Sequence, residues 1–215
     1  MKLITYGCSF TYGQYLDQLE NRGTTERPSS HAWPQLTANL LKRYCENYSM
    51  PGASNRYIWY QIIQKKFYPT DVVAVHWSFP DRTCVLNPTQ STVRHIGVWQ
   101  NDKVARAWYE HFENHKTNYS ERNLYVRSAD RHVCSYGARI VHMIIPERHS
   151  VERDEMDRIV TTEHCDILPL SLLHYHDMPK RIRDDKAFDN RHPGKRIHTW
   201  LSVQLSRHIR DRLRE

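Results

Sequence analysis

The chain alternates between short unbroken apolar runs and longer segments in which apolar residues recur every three or four positions. The runs predict strands covered on both faces, and the recurrences predict amphipathic helices. Leu3-Ile4-Thr5-Tyr6 is the first run, and Gly7 punctuates it. Trp33, Leu36, Leu40 and Leu41, with Tyr44, form a helical stripe starting at Ser30 or His31. Pro34 falls in its first turn, where a missing N–H costs little. Cys45 to Ser49 reads as a short second strand. Ile58, Ile62 and Ile63 mark the next helix, capped by Ser54 or Asn55. Asp71 to Trp77 is almost wholly apolar and predicts a central parallel strand. Cys84 to Gln100 reads as a loop, with Asn87-Pro88 and Gly97 inside it.

From Asp102 to about Tyr136 the pattern is helical, with a break near Asn118. Val104, Ala107, Trp108, His111 and Phe112 make the first stripe, and Leu124, Val126 and Val133 the second. Arg139 to Ile145 is another buried strand, stopped by Pro146, and Ile167 to Leu170 a short last one. A final helix from Pro193 uses Ile197, Leu201, Leu205, Ile209 and Leu213. This alternation predicts an α/β fold, a three-layer α/β/α sandwich on a mostly parallel sheet, with residues 1–215 as a single domain.

Composition narrows the function. Lys and Arg number 31 against 24 Asp and Glu, a formal charge of +7. That balance permits attraction to anionic polymers such as nucleic acid or acidic glycans and establishes neither. The basic residues are dispersed, however, which fits a solvated face better than a nucleic-acid patch. Five cysteines (Cys8, Cys45, Cys84, Cys134, Cys165) form no short-spaced pair, so no disulfide framework is expected. Met1-Lys2-Leu3 leads directly into a strand, without the apolar stretch of a signal peptide, and no run approaches the ~18 apolar residues of a membrane helix. The expectation is a cytoplasmic protein without a membrane span, free to join a larger assembly or particle.

Ligands of open parallel sheets bind beyond the carboxyl ends of the strands. Ser9 falls there, in Gly7-Cys8-Ser9-Phe10-Thr11. Near the other end, Phe188-Asp189-Asn190-Arg191-His192-Pro193-Gly194 carries Asp189 and His192 three apart. Ser, Asp and His in that order can form a hydrolytic triad, which is recognised by roles and not by position. The two blocks resemble those of the SGNH (GDSL-like) hydrolases, which have a Gly-Asp-Ser-like block after the first strand and an Asp-x-x-His block near the C-terminus. The resemblance implies an SGNH/flavodoxin-like fold and a Ser9–His192–Asp189 triad. It also implies a small ester or acylated carbohydrate as substrate, bearing O-acyl groups such as acetyl. No cofactor is implied. The first block is not the Gly-x-Ser-x-Gly elbow of the α/β-hydrolases, because Thr11 stands where the second Gly would be.

The resemblance also assigns an oxyanion hole, built from the backbone N–H groups of Ser9 and Gly52. The family's third block adds a Gly-x-Asn, and here the chain departs: Trp77 is followed by Ser78-Phe79-Pro80-Asp81-Arg82. Two side chains are candidates to replace the absent Asn, the Ser78 hydroxyl and the Asn55 amide, with Asn55 favoured for its reach. Arg82 is the candidate for binding a substrate anion. The departure also defines the rival reading, a catalytically weak SGNH-like module that holds a glycan or assembles into a particle. His174-Tyr175-His176-Asp177 and His164-Cys165-Asp166 are the only metal-like clusters, and neither has a third ligand at a diagnostic spacing, so no metal is expected.

Overall fold

The computed structural model describes residues 2–17, 27–87, 92–145, 167–168 and 178–214. In chain order the elements are β1 (Lys2–Tyr6), α1 (Ser9–Tyr12), α2 (Trp33–Leu41), β2 (Tyr44–Asn47), α3 (Asn55–Ile63) and β3 (Val72–Trp77). Then come β4 (Thr83–Asn87), β5 (Thr92–Ile96), α4 (Lys103–His111), α5 (His115–Ser135) and β6 (Arg139–Ile144). The last are β7 (Ile167–Leu168), α6 (Lys180–Arg183) and α7 (Lys195–Arg214).

Five strands form one parallel sheet in the order β2-β1-β3-β6-β7. The register sets Thr5 between Asn47 and Ala74, and Trp77 beside Ile144. The chain first steps from β1 to β2, then turns back across β1 to β3 and continues to β6. Right-handed crossovers place helices of opposite steps on opposite faces. So α2 lies on one face, where α7 packs against it, and α3 and α5 pack together on the other. The reversal of direction creates a switch point between β1 and β3, and the crevice beyond their carboxyl ends is where such sheets bind ligands.

The core follows the apolar runs. Every residue of β3 is buried, and Leu3, Ile4, Trp33, Ile58, Ile62, Val126, Val133, Met143, Leu201 and Leu205 pack with it. Trp77, His142 and Asp130 thread a polar line through this core. The Trp77 indole N–H donates to His142 Nδ1 at 3.1 Å, and His142 Nε2 lies 3.3 Å from Asp130 Oδ1. Since Nδ1 accepts from the indole, Nε2 carries the proton that reaches the carboxylate.

The structure corrects several boundaries and faces. The predicted loop from Cys84 to Gln100 contains the β4–β5 antiparallel hairpin. Its alternation is weak because Cys84 pairs with His95 and Thr83 with Ile96, so both faces carry buried residues at that end, while Val85 is exposed. The helical break falls before Asn118, at Asn114, whose Oδ1 accepts the Thr117 N–H and caps α5. Helix α2 starts at Trp33 and buries Thr37 and Ala38, while Leu40 stays exposed. Small residues hold the buried face there because α7 packs closely against it. Val104, Phe112 and Leu124, expected in core stripes, are exposed, and on α5 the buried stripe is Arg122, Val126, Ala129 and Val133. The final helix begins at Lys195, not at Pro193, and Leu213 at its end is exposed. Of the last predicted strand, Ile167 and Leu168 are described, and they pair with His142 and Met143. The metal-like clusters at 164–166 and 174–177 and Cys165 lie outside the described residues. Cys8, Cys45 and Cys84 are free thiols. Among the described residues no helix is long and apolar enough to cross a membrane.

Candidate active site

Three parallel strands deliver their following loops to one edge of the sheet. β1 leads into Ser9, β2 into the turn at Gly52, and β3 into Ser78. The first loop is tight because Gly7 has no side chain. A Cβ there would lie 2.1 Å from Thr11 Oγ1. Ser9 is the first residue of α1, is nearly buried, and its carbonyl accepts the Gly13 N–H. The Ser9 N–H, in the first helical turn, has no intrahelical acceptor.

The second loop is stitched to the first. The Met50 N–H donates to the Gly7 carbonyl at 3.1 Å, and Asn47 Nδ2 donates to the Thr11 carbonyl at 3.2 Å. Asn47 also accepts from the Ser49 N–H and hydroxyl. Met50-Pro51-Gly52-Ala53 is a closed turn, with Ala53 N–H to Met50 O at 3.1 Å and Gly52 at φ +78°. Pro at the second position and Gly with positive φ at the third are what a type II turn requires. Ser54 then caps α3, its Oγ accepting the Tyr57 N–H.

Asn55 and Ser78 face each other across the second and third loops. Asn55 Oδ1 accepts the Ser78 N–H at 2.7 Å, and Asn55 Nδ2 donates to the Ser78 carbonyl at 3.0 Å. These two bonds fix the amide orientation, since only oxygen can face an N–H. One Nδ2 hydrogen is thereby committed to the backbone of the third loop, and a 3.5 Å contact to the Phe79 carbonyl takes up the remaining direction. The long-reaching amide expected to be aimed at an oxyanion is thus engaged as a clamp on Ser78. Ser78 Oγ, nearly buried, accepts from Arg82 Nη1 at 3.2 Å, which leaves its own proton available.

Asp189 and His192 come together as the sequence spacing suggested. His192 Nδ1 lies 2.6 Å from Asp189 Oδ2, while Asp189 Oδ1 accepts the backbone N–H groups of His192 and Arg191. A carboxylate accepts only, so Nδ1 carries the proton and the neutral ring presents a lone pair at Nε2. Burial raises the Asp189 carboxyl pKa, but these hydrogen bonds outweigh it and hold the group below its ordinary value. The loop is closed by remote bonds. Ala187 N–H donates to the His192 carbonyl, and Asp185 Oδ2 accepts the Arg196 N–H at the start of α7. Gly194 is required here, because a Cβ would lie 2.2 Å from Asp185 Oδ2.

The His192 ring meets Phe10, the residue after Ser9, edge-on at 5.4 Å, and Tyr15 at 5.2 Å. Phe10 in turn meets Phe79 edge-on at 6.0 Å. The first loop, the third loop and the C-terminal loop therefore share one aromatic seam. Among the described residues neither Ser9 Oγ nor His192 Nε2 has a hydrogen bond, so Ser9 and His192 are neighbours through Phe10 and not directly bonded. Catalytic hydrogen bonds are often loose without substrate. Beneath the site His198 is fully buried and its Nδ1 accepts the Trp33 N–H at 3.0 Å. Burial, with His76 and His192 nearby, pushes its pKa down to about 3, so it stays neutral.

Two features of this edge escaped the sequence. Asn47 ends β2 in an ordinary polar context, and nothing in its spacing marks it as the stitch between two loops. Trp99 follows the unrecognised hairpin and lies beside Gly52 and Arg82.

Comparison with solved structures gives the same architecture. The chain superposes on an acetyl xylan esterase from the rumen bacterium Butyrivibrio proteoclasticus with a TM-score of 0.59 at 12% identity, covering 99% of this chain and 64% of that one. A putative lipolytic protein of the G-D-S-L family from Desulfitobacterium hafniense DCB-2 gives 0.56 at 10% identity, covering 96% and 98%. A psychrotrophic esterase, EstA, from Pseudoalteromonas gives 0.52 at 11% identity over the whole of both chains. The chain spans less than two thirds of the length of that acetyl xylan esterase. No family model matches the sequence, and no curated protein matches it. At these identities the likeness is one of fold, and the fold is that of the SGNH hydrolases.

Proposed function

We propose that this chain, which has the SGNH-hydrolase fold, is a serine esterase that removes small O-acyl groups, such as acetyl, from a carbohydrate or another small alcohol. The observation that carries the reading is the 2.6 Å Asp189–His192 pair with its imidazole against Phe10, the residue next to Ser9. Likeness of fold to an acetyl xylan esterase supports the acetyl and carbohydrate part.

In this mechanism the ester carbonyl enters the crevice between β1 and β3. His192 Nε2 takes the proton of Ser9 Oγ as the oxygen attacks, and Asp189 stabilises the imidazolium that results. The negative charge on the carbonyl oxygen is met by the N–H groups of Ser9 and Gly52. Ser78 supplies a hydroxyl in place of the absent third-block Asn, while Asn55 holds the Ser78 backbone in position. His192 then returns the proton to the leaving alcohol. Water repeats the sequence to free the acid. Arg82 stands at the rim as the substrate-binding residue.

A fluorophosphonate probe tests the reading. Ser9 should be the labelled residue by peptide mass spectrometry, and Ser9→Ala should abolish labelling and lower kcat by about 10⁴-fold or more. Labelling at another serine would remove Ser9 from the role. Absence of labelling and of ester turnover would favour the binding-module reading instead.

A further inference from the structure

The rim beside the oxyanion side of the crevice holds an arginine in an unusual setting. Arg82 follows β3 by five residues, and its Nη1 is anchored on Ser78 Oγ. Its guanidinium carbon lies 4.6 Å from the Phe79 ring centre and 4.8 Å from that of Trp99. Among the described residues Arg82 has no ion pair, and Nε and Nη2 have no hydrogen bond. Those two nitrogens form the side fork of the guanidinium, the edge that offers two parallel N–H groups to a planar carboxylate. Stacked rings orient the cation without neutralising it.

Trp99 is set in place deliberately by its turn. Gln100 N–H donates to the Gly97 carbonyl, and Gln100 Oε1 accepts the Gly97 N–H, each at 3.0 Å. The indole folds back over Gly97 so closely that a Cβ there would fall 2.1 Å from the ring. The same indole stands 3.3 Å from where a Cβ of Gly52 would be. It is 53% exposed, so a ligand at the rim can reach it. Thus a free arginine fork, an accessible indole and the Gly52 turn occupy one place.

We propose that Arg82, held by Ser78, Phe79 and Trp99, receives a carboxylate on the substrate, so that the site selects esters carrying an acidic group over neutral esters of the same shape. This rests on the esterase reading for its catalytic form, though the anion site itself does not depend on turnover. The +7 formal charge of the chain acts in the same direction, drawing acidic substrates in.

The test uses 4-acetoxybenzoate and its neutral isostere 4-acetoxybenzamide. Wild type should prefer the carboxylate in kcat/KM by about ten- to a hundredfold, the scale of a charge-assisted bond to one fork. Arg82→Gln should reduce that ratio to near one, and Arg82→Lys should restore only part of it, because a point charge lacks the fork. Gly97→Ala, which leaves Arg82 intact but displaces the indole, should also lower the ratio. A ratio near one in wild type, or one unchanged by Arg82→Gln, overturns the proposal. A binding arm separates this failure from failure of the esterase reading. Calorimetry on Ser9→Ala with 4-hydroxybenzoate and 4-hydroxybenzamide should show tighter binding of the acid, lost when Arg82→Gln is added. That result upholds the anion site even if neither ester is turned over, and equal or absent binding of both probes overturns it.

Discussion

Replacing Asn55 by alanine tests how the third loop is held. The residue is 4% exposed, and its side chain bonds both backbone polar groups of Ser78, which is itself 1% exposed. A helix-capping residue typically contributes about 1 kcal/mol. Asn55 should contribute more, because its loss strands a buried N–H and a buried C=O, each costing roughly 1–3 kcal/mol when unsatisfied. Allowing for partial relaxation and entry of water, the expected loss is about 3 kcal/mol. For a chain of this size that lowers Tm by roughly 6–12 °C. The second effect is kinetic. Ser78 and Arg82 are positioned by the clamp, so kcat per folded molecule should fall as well, by about tenfold or more if Ser78 supplies an oxyanion donor. Calorimetric melting and ester kinetics below the transition measure both on one preparation. A Tm within about 2 °C of wild type would refute the clamp. A full stability loss with unchanged kcat would refute the link from the clamp to the oxyanion site.

Three further outcomes are expected. Asp189→Asn should keep the fold and lose about 10⁴-fold in kcat, because an amide can stabilise the wrong imidazole tautomer; near-normal kcat would remove Asp189 from the triad. Arg122 is buried, its Nε, Nη1 and Nη2 have no hydrogen bond among the described residues, and its guanidinium lies 5.0 Å from the Tyr119 ring centre. Burial pushes its pKa down to about 10, so the charge is a burden at neutral pH. Arg122→Met should therefore raise the urea midpoint by the equivalent of about 1–3 kcal/mol, and a clear fall would show that the guanidinium is paired. Glu46 is opposed by burial but held by Lys2, Lys65 and Tyr48, which together lower its carboxyl from 4.5 to about 2. A carboxyl lowered on folding adds stability that is full above the unfolded value and lost as pH falls from about 4.5 towards 2. Glu46→Gln should remove that part of the acid sensitivity, so an identical stability decline in both proteins over that range would contradict the assignment.

The sequence by itself determined the layers and the pairing that matters most. Short, valine-rich apolar runs such as Asp71–Trp77 fit strands covered on both faces, and such strands call for parallel neighbours and flanking helices. Asp189 and His192 are three apart, so one tight loop joins them, and local spacing was enough to predict the pair. Pro51-Gly52 fixed its own turn for the same local reason. What lies between distant segments was not legible. The β4–β5 hairpin buries residues on both faces at its Thr83–Ile96 end and exposes Val85 farther along, so no alternation separates it from a loop. The exposed stripe of α4 looks like a core stripe, because periodicity reports amphipathicity and not which face finds a partner. The reach of the Asn55 amide is plain from its residue type, yet what it bonds is a carbonyl and an N–H 23 residues away. Arg82 acquires its free fork only where a glycine turn lays Trp99 against it. Hydrogen bonds and ring contacts act over a few ångströms, so their partners are chosen by the sheet order and crossover handedness, which bring separate loops to one edge.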